Sequence, residues 1–66
     1  MTDQEFADSL CGLEKRDSQN KVEARGLMYR LVSVDGEKFL GEPSDVRTDR
    51  ICVEITGRNV SRAWVG

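Results

Sequence analysis

The sequence has no histidine, one proline, two cysteines and only four aromatic residues. Without histidine it lacks the side chain that most often serves as acid–base catalyst or metal ligand near neutral pH. Cys11 and Cys52 are too few for a disulfide framework and do not have metal-site spacing. Nothing in the sequence marks an oxidising compartment, so they read as reduced thiols rather than a bridge. Long hydrophobic runs are also missing. The most apolar stretch, Leu27 to Val34, is broken by Arg30 and Ser33, far short of the ~18 apolar residues of a membrane span. Met1-Thr2-Asp3-Gln4-Glu5 is acidic and has neither the basic nor the apolar region of a signal peptide. A cytoplasmic location is expected for the chain as written, and a secreted or periplasmic one if a leader was removed.

What is present is a chain of 66 residues, 33% charged and 38% hydrophobic, with a net charge of −2. That is one small domain, residues 1–66, with a thin core: a chain this short buries only about 60% of the surface its unfolded form exposes. Pockets of roughly 300–1,000 Å³ need walls that such a chain cannot spare. The expectation is binding rather than catalysis, with no cofactor and no metal. Net acidity argues against nucleic acid, whose binding rests on phosphate neutralisation. A monomer is expected.

Thr2-x-x-Glu5 fits a capping box, and Phe6, Leu10 and Leu13 fall on one face. This predicts an amphipathic helix of three to four turns, weakened or ended by Gly12, with Lys15 and Arg16 at its negative end. Asp17 to Lys21 reads as a loop, and Val22 to Arg25 as either a short helix or the approach to a strand. Leu27 to Val34 is rich in strand formers, with apolar residues on both parities, as in a central strand covered on both faces. Asp35-Gly36 predicts a type I′ hairpin, with Glu37 to Leu40 as the return strand. Residues 41–49 hold the proline, Pro43, and no periodicity, so they form an exposed loop. Arg50 to Ile55 alternates, with Ile51, Val53 and Ile55 on one side and Arg50, Cys52 and Glu54 on the other. Gly57-Arg58 turns the chain into a last strand from Val60 to Val65. The fold class is α+β: a helix packed on a small, mostly antiparallel sheet. A further option is a small antiparallel barrel that binds nucleic acid, favoured by the Asp35-Gly36 hairpin; separately, Tyr29 and Arg30 beside Arg25 are the residues that suggest stacking on bases. Trp64 reads as a half-buried cover on the sheet.

In Pro43-Ser44-Asp45-Val46-Arg47-Thr48-Asp49-Arg50 acid and base alternate. An extended backbone puts Asp45, Arg47 and Asp49 on one side, and Arg50, at the root of the next strand, can reach back to Asp45 with bidentate geometry. Pro43 removes further freedom. A loop held in this way costs less entropy to bind. The plain alternative is a solvated turn whose surface ion pairs contribute ~0–1 kcal/mol each.

The run Asp45 to Ile55, followed by Val60-Ser61-Arg62-Ala63-Trp64-Val65-Gly66, resembles the I78 peptidase inhibitor family and the related potato inhibitor I family. The resemblance rests on Arg47-x-Asp49-Arg50 leading into an apolar strand and on the Val-Gly that closes the sequence. It implies a helix-on-sheet fold and inhibition of a subtilisin-like or elastase-like serine protease through an exposed loop. Arg50 matches the arginine that braces such a loop, with Asp49 beside it in support. Asp45 matches the acid held after the target bond, and Ser44 the primary specificity position. Pro43 precedes it, with Val46 and Arg47 on the leaving side. The alternative is a non-inhibitory intracellular protein-interaction module on the same scaffold. The lack of a visible leader favours it, as does Val65 standing where the I78 pattern has a cysteine.

Overall fold

Thr2 opens the first helix as predicted. In the computed structural model, which describes residues 2–66, its hydroxyl accepts the Glu5 amide at 3.1 Å while the Glu5 carboxylate accepts the Thr2 amide at 3.1 Å. Helix α1 runs only over Asp3–Ser9, about two turns instead of the predicted three to four. Its continuation is lost to tertiary bonds. Gly12 donates to the Val60 carbonyl and Leu13 accepts the Val60 amide, both at 2.8 Å. Those peptides pair with a strand and so cannot extend the helix. Leu13 still packs against the core from this connection.

The segment predicted to be a loop is a second helix, α2, Lys15–Ala24. It is strongly polar, and only Ser18 and Val22, one turn apart, are buried. The Ser18 hydroxyl donates to the Lys15 carbonyl at 2.7 Å and lies 2.9 Å from the Tyr29 hydroxyl. A buried stripe that is half serine escapes any count of apolar residues. The legible signal was at the other end. Gly26, at φ +74°, donates to the Glu23 carbonyl and Leu27 to the Val22 carbonyl, a Schellman stop that places a helix before it.

The strands are β1 Met28–Val34, β2 Glu37–Lys38, β3 Arg50–Thr56 and β4 Asn59–Val65, in the order β2-β1-β3-β4. Pairing is antiparallel for β1–β2 and β3–β4 and parallel for the central β1–β3 pair. The sheet is therefore mixed and open, which corrects the barrel alternative. Asp35 and Gly36 both have positive φ, 53° and 82°, in the two-residue turn between β1 and β2, as a type I′ hairpin requires. The return strand is shorter than expected, two residues rather than four.

Two register shifts explain apolar residues of mixed parity. In β1 Leu31 pairs with Val53 but Ser33 pairs with Glu54, so Val32 is the extra residue and Val34 comes back to the side of Leu31. In β4 Ser61 plays the same part between Val60 and Arg62. Both helices lie on the face carrying Ile51, Val53 and Ile55, where they bring Phe6, Ala7, Leu10 and Val22 into one core. Among the described residues no helix is long and apolar enough to cross a membrane.

Candidate functional site

The parallel β1–β3 pair dictates the loop. To pair in parallel with β1, β3 must begin beside the start of β1, so the intervening chain has to travel back along the sheet. The β1–β2 hairpin starts the return: Phe39 donates to the Val32 carbonyl at 2.8 Å, and Gly41 to the same carbonyl at 3.1 Å. Residues 41–49 then cross without regular structure. They join β3 where the Met28 amide meets the Asp49 carbonyl at 2.8 Å.

This crossing is held by arginines from the sheet face opposite the helices. Arg50 is 8% exposed. Its Nε donates to the Gly66 carbonyl at 2.6 Å, and one terminal nitrogen reaches both the Asp45 carbonyl at 3.2 Å and the Asp45 carboxylate at 3.1 Å. The expected Arg50–Asp45 brace is present, but not as a bidentate fork. That geometry belongs to Arg47, which grips both carboxylate oxygens of Asp49 at 2.9 Å. With Nε engaged by Gly66, the side-on fork through Nε and a terminal nitrogen is closed to Asp45, and one terminal nitrogen makes the contact. The charges thus form two pairs, Asp45 with Arg50 and Arg47 with Asp49, rather than one cluster.

Sequence reasoning singled out Arg30 for another role and missed it as a brace of the loop. It stands opposite Cys52 in the β1–β3 register and donates from Nε to the Gly41 carbonyl at 3.0 Å and from a terminal nitrogen to the Leu40 carbonyl at 2.9 Å. The only available signal was its parity: a charged side chain between Tyr29 and Leu31, pointing away from the core. Arg30 thus pins the beginning of the loop and Arg50 its middle. Pro43 is half-buried and Ser44 exposed between those points, while Val46, beyond Asp45, is 88% exposed.

The charges follow these contacts. The Arg50 hydrogen bond holds the Asp45 carboxyl below its ordinary pKa, and the Arg47 hydrogen bond does the same for Asp49. Cys52 is fully buried beneath this layer, its thiol 3.4 Å from the Gly66 carbonyl. Burial pushes its pKa up against the opposing pull of Arg50. Cys11 is exposed at the end of α1, and both cysteines are free. Trp64 is half-buried on the same face as Cys52, with the Arg62 guanidinium 4.4 Å from its ring centre. A Cβ on Gly66 would sit 3.2 Å from the indole, so glycine lets the ring lie close over the chain.

Arg25, Tyr29 and Arg30 do not share a surface. Arg25 lies 4.2 Å over the Phe6 ring, Tyr29 bonds to Ser18, and Arg30 is spent on the loop. No family model, no curated protein and no solved structure matches this chain.

Proposed function

We propose that this protein is a reversible inhibitor of a serine protease and that loop 41–49 is the segment offered to the protease cleft. The observation that carries the reading is an exposed, irregular loop pinned at separate points by two arginines of the sheet beneath it. A protease binds its substrate as an extended strand. A segment already pinned to its scaffold loses less entropy on binding than a free one, and its ends stay in place if the bond is cut. Ser44 and Asp45 flank the target bond in this reading, Pro43 precedes them, and Val46 and Arg47 follow. Asp45 is held by Arg50, so the new chain end remains attached to the scaffold after cleavage. No group on the inhibitor performs chemistry.

The test is titration of the pure protein against subtilisin, elastase, chymotrypsin and trypsin, with inhibition constants and loop cleavage followed together. A small polar Ser44 suits the subtilisin-like or elastase-like enzymes, and inhibition of at least one of these is expected. Rapid cleavage without inhibition, or no interaction with any of the four, overturns the reading.

A second reading, a non-inhibitory protein-interaction module, is favoured by Phe39 and Leu40. They are 66% and 57% exposed next to the loop and lie outside the segment that would enter a cleft. It predicts that Arg50→Ala weakens capture of a protein partner in a pull-down with no protease among the captured proteins.

A further inference from the structure

The loop presents its backbone to the sheet and one apolar side chain to solvent. The carbonyls of Leu40, Gly41 and Asp45 point down to Arg30 and Arg50. Val46 is the only large apolar side chain between residues 41 and 49, and at 88% it is the most exposed large hydrophobic residue described. It also stands between two clamps. Asp45 on one side is tied to Arg50, and Arg47 on the other is tied to Asp49. A β-branched side chain adds stiffness of its own, because few χ1 rotamers are open to it. An apolar group left in water gains nothing for the free protein, whereas entry into a complementary apolar pocket removes its whole surface from water.

The neighbouring charges bear on the kind of pocket. Asp45 is paired with Arg50 of β3 and Arg47 with Asp49, so the flanks of Val46 ask for no counter-charge from a partner. We infer that Val46 is the anchor of the loop, and that the partner is a protease whose cleft offers an uncharged pocket sized for a small branched aliphatic side chain. Most of the side-chain affinity then comes from Val46 rather than from Ser44, which has little apolar surface to bury. This rests on reading loop 41–49 as the segment that enters a protease cleft. Val46 then adds a second point of selection beside Ser44, through the uncharged pocket it enters.

The experiment takes whichever protease of the four-enzyme panel the wild type inhibits and compares Val46→Ala, Val46→Asp and Ser44→Asp. Val46→Ala removes two buried methyl groups and is expected to weaken inhibition about tenfold. Val46→Asp should weaken it more than a hundredfold, since a carboxylate enters an uncharged pocket only at high cost. Thermal midpoints should stay at the wild-type value, because the side chain touches solvent and not the core. Wild-type inhibition by Val46→Asp, together with loss of inhibition in Ser44→Asp, overturns Val46 as anchor and leaves the inhibitor reading standing. A wild type that inhibits none of the four proteases overturns both.

Discussion

One face of the sheet lies under two helices that bring Phe6, Ala7, Leu10 and Val22 onto Ile51, Val53 and Ile55. The other lies under an irregular segment held by Arg30 and Arg50, with Cys52, Glu54 and Trp64 beneath or beside it. The first cover is apolar and its free energy grows with area. The second is polar and directional, so each contact fixes a particular carbonyl or carboxylate rather than contributing to a general pool. The helical side can make the domain stable, while the loop side can make a shape. The two tasks are divided between the faces of a single sheet.

The comparison breaks most severely on the helical side. Leu10 is fully buried, and Leu10→Ala is expected to cost about 2–5 kcal/mol. That is a large share of what a domain of this size has, roughly 3–10 kcal/mol. Urea titration checks this, and a cost under 1 kcal/mol would mean that the helices contribute little to the core. Next comes Arg50→Ala, which strips the Gly66 carbonyl and Asp45 of their donor. An expected cost of about 1–3 kcal/mol should come with faster proteolysis within 41–49 than in Leu10→Ala at matched stability. Equal cleavage rates would mean that Arg50 acts on the whole fold and not on the loop.

Acid gives a gentler separation of the faces. Asp45 and Asp49 have carboxyls held below the ordinary aspartate range by Arg50 and Arg47. Their ion pairs are complete at neutral pH and are lost as pH falls below about 4, through the lowered folded-state values. Amide signals of residues 41–49 should therefore broaden or shift on acidification before those of Ile51, Val53 and Ile55. The two thiols sharpen the same contrast. Exposed Cys11 should react with a thiol reagent at once, and Cys52 only as the structure opens. The smallest effect belongs to Arg47→Ala. Its pair with Asp49 is exposed, so a stability change of about 0–1 kcal/mol is expected, read by thermal unfolding.

The elements that obey a period were legible in the sequence. Thr2-x-x-Glu5 started a helix, Asp35-Gly36 made a hairpin, and Ile51, Val53 and Ile55 took one face of a strand. Arg50 and Asp45 met because they lie only five positions apart and a strand root fixes the direction of the first. Other features depended on partners distant in sequence. Helix α1 stops early because Val60 takes the Gly12 and Leu13 peptides. Helix α2 is held through Ser18 and Tyr29, a polar contact that a hydrophobic pattern does not register. Arg30 became a brace only when the hairpin carried Leu40 and Gly41 back over it.

Which segments turn, alternate and cap was thus written locally in the chain, because those features depend on bond geometry and neighbours within a few residues. The inventory was legible there too: no histidine, few cysteines and a charge near balance. That β1 and β3 run parallel, that residues 41–49 must cross the sheet, and that both arginines beneath them point the same way came from the assembled fold. Strand order and direction are set by contacts between residues far apart in the chain, whose free energy is shared across the whole core and written at no single position.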